Sequence, residues 1–371
     1  MNANASSGFD HYSSMFIKQA EREVHGERGK KRKENVLLPL LTDLFRLLLS
    51  DGLLPSAWKT TKITPLHKKS DTLLPKKYRL IAINGCVYKL YANVVRDLLT
   101  EWALAESQIS DTQFGFCPTR NTNQPLFILR HLLSVARQKK KKLFAAFIDL
   151  TAAYDNVQRE KLWTHLQDIH VPQYLLTAVR AMYEGSVYIL IDGDKESDAV
   201  TANKGLKQGC PLSPLLYSLY TNDLSRFLNT PERGALTALE TTKVSHTEYA
   251  DDIALVANTA QHLQFQLDRF YDYTVIKGLT LNTDKTKVMA FFSSSNPTFF
   301  YHGTPLENVQ EFKYLGIKLS RDGRSKNASR QMACNFVSAI ARIWKAGSEL
   351  GIQNRRHVML WIFQVYALAA G

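Results

Sequence analysis

The sequence predicts an α+β fold built on a split β-α-β sheet, in the order strand, helix, strand, strand, helix, strand. Three observations support this prediction. An uninterrupted apolar run at 143–148 has the composition of a buried strand. Two short β-like runs flank Asp251 and Asp252 and together have the form of a hairpin. Apolar residues at helical spacing follow both the first strand and the hairpin, as the split motif requires.

Composition and charge set the class of protein. The chain has 371 residues, enough for two or three domains, and its 45% of hydrophobic residues excludes a disordered tail or a disulfide-stapled miniprotein. The formal net charge of +13 indicates polyanionic partners, without choosing among DNA, RNA and acidic membrane. The four cysteines lie far apart and form no C-x-x-C pair, which disfavours a zinc site or a disulfide framework. We therefore expect a protein of a reducing, intracellular compartment.

The two ends of the chain differ in character. Residues 1–34 are polar and end in a basic cluster at 28–33, and we expect them to form a disordered basic arm. The cluster fits a nuclear-import or phosphate-binding arm and a solvated tail equally well. Leucines at helical spacing begin after Val36, which marks the start of a folded unit. The longest apolar stretch, 358–370, falls short of the about 20 residues that span a bilayer, so we expect no membrane partner.

The elements of the central segment follow in order. The first strand ends at Asp149. Asp155 and Gln158 have the spacing of a capping box and predict the start of the first helix. The hairpin comes next, and the helix after it is predicted to end at Gly278, a residue suited to a C-terminal cap. The fourth strand is predicted at 287–292.

Aspartates occur at two places in this predicted sheet. Asp149 leaves the first strand, and Asp251 and Asp252 occupy the tip of the hairpin. Because the first strand and the hairpin can lie side by side at the centre of such a sheet, the carboxylates can converge. Like charges at close range destabilise one another, so a cluster of this kind needs cations, and oxygen ligands suit Mg²⁺ together with substrate phosphates. Taken singly, an aspartate is more simply explained as a turn or cap residue, and Asp252 on its own would be assigned that role.

Five short blocks occur in one order along the chain. They are Gln113-Phe114-Gly115-Phe116, Phe147-Ile148-Asp149-Leu150 continuing to Ala153-Tyr154-Asp155, Gln208-Gly209-Cys210-Pro211-Leu212-Ser213-Pro214, Tyr249-Ala250-Asp251-Asp252, and Tyr314-Leu315-Gly316. Together they resemble the reverse transcriptase domain of non-LTR (LINE-type) retrotransposons, over roughly residues 50–320. The tetrad at 249–252 alone would be weak support, whereas the second, third and fourth blocks in this order are highly specific.

The resemblance implies a right-hand polymerase, with a ferredoxin-like split βαβ palm, fingers of helices and strands, and an incomplete helical thumb. On this basis we assign 35–142 to the fingers, 143–320 to the palm with a fingers insertion at roughly 159–206, and 321–371 to a partial thumb. An endonuclease domain and the rest of the thumb are expected to be missing relative to a full-length element.

The resemblance also implies an RNA-directed DNA polymerase, with Asp149 and Asp251 as ligands of two Mg²⁺ ions, Mn²⁺ being the alternative, and Asp252 as an accessory. Lys285 resembles the family's lysine near the departing pyrophosphate. Tyr154 matches the aromatic residue that closes on the sugar, where a ring would exclude a 2′-hydroxyl by clash. For Lys285 and Tyr154, an ordinary surface or core position is the rival interpretation.

Further positions carry over from the family in the same way. The implied nucleotide- and template-binding residues are Gln208, Gly209, Arg79 and Arg120, and the implied primer grip is Tyr314, Leu315 and Gly316. Two positions depart from the family pattern, because Leu80 replaces the usual proline and Cys117 replaces an arginine. Both departures lie in the fingers and put nucleotide affinity in doubt.

The expected partners are an RNA template, a DNA or RNA primer and deoxynucleoside triphosphates. Two alternatives stay open: an RNA-dependent RNA polymerase or intron maturase, and a catalytically weak or silent nucleic-acid-binding remnant. Viral RNA polymerases tend to place an acid five residues beyond the first catalytic aspartate. Tyr154 holds that place here, which favours DNA synthesis, although Asp155 is adjacent. The expected location is a cytoplasmic ribonucleoprotein, the nucleus or both.

Overall fold

The structure is a computed structural model, and it describes residues 14–25, 31–68, 74, 77–228 and 244–323. The helices are α1 (Ser14–Gln19), α2 (Leu37–Asp51), α3 (Ser56–Lys59), α4 (Cys86–Ala105), α5 (Asn123–Gln138), α6 (Arg159–Asp168), α7 (Gln173–Ala181), α8 (Ser213–Tyr220), α9 (Leu224–Leu228) and α10 (Ala260–Lys277). The strands are β1 (Glu21–His25), β2 (Lys31–Asn35), β3 (Thr60–His67), β4 (Tyr78–Ile83), β5 (Leu143–Ile148), β6 (Val187–Asp192), β7 (Lys195–Glu196), β8 (Val200–Thr201), β9 (His246–Tyr249), β10 (Asp252–Ala257), β11 (Lys287–Phe291), β12 (Phe299–Tyr301), β13 (Thr304–Asn308), β14 (Glu311–Tyr314) and β15 (Ile317–Ser320).

The described residues divide into two compact units. The first is drawn from Met1–Arg120, Leu150–Arg226 and Tyr273–Thr280, and the second from Asn121–Asp149, Phe227–Asp272 and Leu281–Gly371. The predicted boundaries of fingers, palm and thumb stay predictions.

The second unit contains a six-stranded sheet in the order β12-β13-β11-β5-β10-β9. Strand β5 pairs antiparallel with both β10 and β11, so it lies between the hairpin and the fourth strand of the split motif. All six residues of β5 are buried, which explains why its sequence is apolar throughout instead of alternating. The predicted split sheet is confirmed. Its fourth strand ends one residue early, because Phe292 adopts a positive φ of 55°.

The core of this unit joins α5 to one face of the sheet. Apolar residues of α5, the three strands β5, β10 and β11, and the hairpin β14–β15 form one cluster. Leu129 and Phe147 are each 2% exposed within it. The hairpin is therefore part of the hydrophobic core and is held against the sheet.

The first unit contains a mixed sheet in the order β4-β3-β6-β7, with β8 paired to β6. Strand β3 pairs antiparallel with β4 and parallel with β6. Helix α4 buries a continuous face that includes Tyr91, Val95 and Leu99. Helix α2 ends at Gly52, which takes the left-handed conformation.

The expectation that residues 1–34 are disordered is wrong for their described part. Ser14–Gln19 is helical, and β1 and β2 pair in an antiparallel register from Glu21↔Asn35 to His25↔Lys31. β1 carries two glutamates and β2 three basic residues, and Lys33 of β2 forms an ion pair with Glu21 of β1 at 3.3 Å. Cross-strand pairs of opposite charge stabilise a hairpin that has little apolar area to bury.

The predicted capping box is also wrong. The N-cap of α6 is Gln158, and it makes no capping hydrogen bond through its side chain. Asp155 instead accepts a hydrogen bond from Gln208, a contact distant in sequence. The predicted cap at Gly278 is confirmed, since this residue follows α10 with a φ of 67°.

Most of the predicted partial thumb, from residue 324 onward, lies outside the described residues, as does the apolar stretch at 358–370. Within the described ranges, no helix combines the length and the apolar character needed to cross a bilayer.

Candidate active site

The ends of β5 and β10 bring the predicted catalytic aspartates together. Ile148, the last residue of β5, is the register partner of Ile253 in β10. Asp149 follows Ile148 and Asp252 precedes Ile253, so the antiparallel register places these two carboxylate residues side by side. Tyr249 pairs with Asp252 across a two-residue turn in which Ala250 takes a positive φ of 56°. This turn holds Asp251 at its tip, beside the other two acids.

The electrostatics show the same convergence. Burial, followed by the nearby charges of Asp251 and Asp149, raises the pKa of Asp252 from 3.8 to about 6. An effect of neighbouring carboxylates on a pKa requires close approach. The prediction that residues 102 positions apart in sequence meet in space is therefore supported by both register and charge.

A turn after α10 anchors Asp149. The main-chain N–H of Asp149 donates to Thr286 Oγ1 at 3.1 Å, and its carbonyl accepts from the N–H of Asn282 at 2.8 Å. The same turn carries Lys285, whose Nζ lies 3.6 Å from Asp149 Oδ2. The structure thus places the predicted catalytic lysine in an ion pair with the first predicted metal ligand, and this cation offsets part of the charge of the cluster.

The carboxylates fit divalent cations in chemistry. They are hard oxygen donors that repel one another, and a cation would remove that repulsion. In the part of the chain that the structure describes, no three side chains of the His, Cys, Asp or Glu types are arranged as a complete metal site. The two ligands that the resemblance implies, Asp149 and Asp251, are oxygen donors, and Mg²⁺ binds such donors together with water and substrate phosphates.

The predicted primer grip is a tight hairpin in the second unit. Tyr314 pairs with Ile317 across a turn whose two residues, Leu315 and Gly316, have positive φ values of 44° and 86°. Two successive left-handed residues are what a type I′ turn requires, which explains the glycine. The Tyr314 hydroxyl lies 3.2 Å from Thr247 Oγ1 on β9, so a hydrogen bond joins the hairpin to the strand that leads to the acids.

Ring stacking fixes the same hairpin to β5. The ring of Phe147 stacks on Phe312 at 4.5 Å between centroids, and it contacts Tyr314 at 5.2 Å. Burial raises the pKa of Tyr314 well above its usual range, and the charge of Asp252 adds to this effect. The primer-grip turn is thus packed on the strand that ends at Asp149.

The predicted sugar-contacting residue lies in the first unit. The Tyr154 ring stacks on Tyr217 of α8 with centroids 4.8 Å apart and planes 18° apart. The Tyr154 carbonyl accepts a hydrogen bond from the N–H of Leu206 at 2.8 Å. The ring orientation is therefore set by a fully buried tyrosine and by the segment that leads into Gln208.

Gly209 is explained by a close approach of two backbones. Its φ is 104°, and a Cβ at this position would lie 2.8 Å from the carbonyl oxygen of Ala82 on β4. The N–H of Ala82 donates to the carbonyl of Gln208 at 2.6 Å. The close approach of the Ala82 carbonyl therefore accounts for a glycine at this position.

The two arginines differ in their surroundings. Arg79 is exposed on β4, where a polyanion could reach it. Arg120 donates from Nη1 to the carbonyls of Ser110 and Gln113, each at 2.6 Å. The geometry of Arg120 therefore indicates a residue that holds the loop around the Gln113–Phe116 block, and it does not support a role as a nucleotide ligand.

Sequence reasoning missed Lys207, which precedes Gln208. Its side chain is buried, donates to the carbonyl of Met182 at 2.9 Å, and lies 5.1 Å from the ring centroid of Tyr88 and 5.5 Å from that of Tyr183. Burial lowers its pKa to about 8. Aromatic faces stabilise a cation that has little water around it. Nothing in the local sequence distinguishes this lysine from an exposed one.

The comparisons with known proteins agree with this geometry. The family described as reverse transcriptase (RNA-dependent DNA polymerase) matches residues 66–319. The RNA-directed DNA polymerase from the mobile element jockey of Drosophila melanogaster is 27% identical over 293 residues, covering 76% of this chain and 31% of that protein. The Pol polyprotein from the type-2 retrotransposable element R2DM of the same species is 26% identical over 296 residues, covering 77% of this chain and 27% of that protein.

Among solved structures, apo telomerase from Candida tropicalis aligns with a TM-score of 0.52 at 12% identity, covering 88% of this chain and 60% of that one. A likeness at this identity concerns the fold, and the fold is that of a right-hand polymerase. The chain spans 31% and 40% of the lengths of two jockey polymerases, from Drosophila melanogaster and Drosophila funebris.

Proposed function

The chain belongs to the reverse transcriptase (RNA-dependent DNA polymerase) family, and we propose that it is an RNA-directed DNA polymerase of a non-LTR retrotransposon. One observation carries the proposal. Asp149, Asp251 and Asp252 converge where β5 and β10 end, and Lys285 lies beside them. Such a cluster suits phosphoryl chemistry, because its negative charge attracts divalent cations and those cations in turn bind the phosphates of a substrate.

In the proposed reaction, the 3′-hydroxyl of a primer attacks the α-phosphate of a deoxynucleoside triphosphate in line with the departing pyrophosphate. Asp149 and Asp251 would hold two divalent cations, Mg²⁺ or Mn²⁺, which activate the hydroxyl and offset the charge of the phosphates when bound. Lys285 would donate a proton or supply positive charge to the leaving pyrophosphate. Turn residues Leu315 and Gly316 would hold the primer end.

The nucleotide would be recognised by residues of the first unit. Tyr154 would exclude a 2′-hydroxyl by clash, because Tyr217 prevents the ring from turning away. Gln208 would contact the nucleotide from a loop whose backbone is bonded to β4. Exposed Arg79 would contact the triphosphate. The template, by the relatives' description as RNA-directed polymerases, would be RNA.

Primer extension tests the proposal. Purified chain should extend a DNA primer on an RNA template with Mg²⁺ and deoxynucleotides. Asp251→Asn should abolish extension while template affinity changes less than about threefold, because phosphate contacts come from basic residues. Asp272→Asn, an exposed carboxylate on α10 of the same unit, is the matched control and should extend normally.

Two outcomes would contradict the proposal. Template binding by the wild-type chain without any extension would favour a silent nucleic-acid-binding remnant. Equal extension by wild type and Asp251→Asn would show that the carboxylates at the ends of β5 and β10 are not the catalytic centre.

A further inference from the structure

The outer face of α5 borders a cavity of about 530 Å³ in the second unit. Phe127, Arg130, Ser134 and Arg137 line this cavity, and their spacing of three and four residues places them on one face of the helix. Ile317 of β15 lines it as well. The cavity is therefore a groove, here called the α5 groove, that follows about 15 Å of the helix.

The α5 groove is positively charged. None of the described residues that line it is acidic, and residues 112–148 contain no aspartate or glutamate. Arg130 and Arg137 are exposed, and so are the lysines at 139–142, which follow the helix directly. Nη2 of Arg137 donates to the carbonyl of Asp322 at 2.6 Å, which holds this guanidinium in place beside the groove. A surface of this charge attracts a polyanion.

The same groove offers an aromatic ring. Phe127 is 69% exposed, and its ring stacks on His131 with centroids 6.1 Å apart and planes 23° apart. His131 thus supports the ring while most of the surface of Phe127 stays accessible. Proteins that bind single-stranded nucleic acid combine cations, which contact phosphates, with aromatic rings on which unpaired bases stack. The bases of a duplex already stack on each other, so the ring favours a single strand.

We propose that the α5 groove binds single-stranded RNA, with a base stacked on Phe127 and phosphates bound by Arg130, Arg137 and the lysines at 139–142. The choice of RNA rests on the proposed function. An RNA-directed polymerase uses a long template, and only a short part of that template occupies the catalytic centre at any step. The α5 groove holds another part of the same strand, outside the catalytic centre.

Equilibrium binding of a fluorescently labelled, unstructured RNA of about 12 nucleotides tests the inference. An unlabelled blunt RNA–DNA hybrid is present at saturation, so that the catalytic centre is filled. The wild-type chain should bind the RNA under these conditions, and it should bind a duplex RNA of the same length less tightly. Phe127→Ala should weaken binding of the single strand about tenfold, as expected for the loss of one stacked base. Phe127→Trp keeps an aromatic face and should stay within about threefold of wild type.

The dependence of binding on salt tests the cations. Arg130→Gln should weaken binding and reduce the slope of log affinity against log salt concentration by about 0.7, the value for one phosphate contact with a single strand. Phe127→Ala should leave this slope unchanged, because stacking neutralises no phosphate. Phe300→Ala is the matched control, since it removes an exposed aromatic ring from β12 of the same unit. It should change neither the affinity nor the slope.

The outcomes separate this inference from the polymerase proposal. RNA binding that depends on Phe127 and Arg130, in a chain that extends no primer, would overturn the polymerase proposal and support the α5 groove. A chain that extends primers, but whose Phe127→Ala and Arg130→Gln variants bind the RNA as tightly as wild type, would overturn the inference alone. Equal affinity of the wild type for single strand and duplex would do the same.

A protein segment in the α5 groove would give another result. In that case Phe127→Ala would lower the unfolding temperature and leave RNA affinity unchanged, and the inference would be wrong. Should Phe127→Ala fail to fold, the salt slope of Arg130→Gln decides the question, because Arg130 is an exposed residue.

Discussion

Neutralising Asp252 should stabilise the folded protein at neutral pH. In the folded chain, burial and the charges of Asp251 and Asp149 raise the pKa of this carboxyl from 3.8 to about 6. A group with a raised pKa stabilises the fold fully below its unfolded value, and this contribution is lost as the pH rises through the folded value. Asp252→Asn replaces the titrating carboxyl by a neutral amide. The variant therefore keeps the stability that the wild type loses as the pH rises.

The size of the effect follows from the two pKa values. The difference between 3.8 and about 6 corresponds to at most about 3 kcal/mol, at about 1.4 kcal/mol for each tenfold change in the equilibrium. Asp252 is partly accessible to solvent, so water screens much of the repulsion between its carboxylate and those of Asp251 and Asp149. We therefore expect Asp252→Asn to gain about 1 kcal/mol over wild type between pH 4 and pH 7.5.

The assay is denaturant unfolding of both proteins at several pH values, with a chelator present. Adding millimolar Mg²⁺ at pH 7.5 should narrow the gap, because a bound cation offsets the repulsion in the wild type. Asp272→Asn, outside the cluster, should differ from wild type by less than about 0.5 kcal/mol throughout. A gap between Asp252→Asn and wild type that does not change with pH would refute the reasoning about the acid cluster.

Two further predictions concern the nucleotide-binding segment of the first unit. Tyr154→Val should increase ribonucleotide incorporation at least tenfold relative to deoxynucleotides, measured by competition in primer extension. An unchanged ratio would show that a residue other than Tyr154 excludes ribonucleotides. Gly209→Ala should destabilise the protein by about 2 kcal/mol or more in thermal unfolding, because its Cβ would approach the Ala82 carbonyl within 2.8 Å at a φ of 104°. A Gly209→Ala protein as stable as wild type would show that the two backbones do not meet as described.

The local patterns of the sequence predicted the frame of the site well. The apolar run of β5, the hairpin around Asp251 and the cap at Gly278 are each encoded within a few consecutive residues. The period of a strand or helix and the chemistry of a turn act over such short ranges, so these elements could be read in order. Their order then implied a split sheet in which Asp149 meets the hairpin.

Contacts between distant segments could not be predicted in this way. Asp155 had the spacing of a helix cap, yet its partner is Gln208, and Arg120 had the charge of a nucleotide ligand, yet it holds a loop. Lys285 could be compared with a family lysine, but its 3.6 Å contact with Asp149 depends on how a turn meets a strand end.

The sequence by itself determined the strand and helix order, the position of the acids on it and the membership of a polymerase family. Only the tertiary structure decided which polar side chains bond to each other and which face a substrate. The physical reason is that hydrophobic periodicity specifies the face that an element buries, whereas a hydrogen bond between residues 53 positions apart depends on the packing of the whole unit.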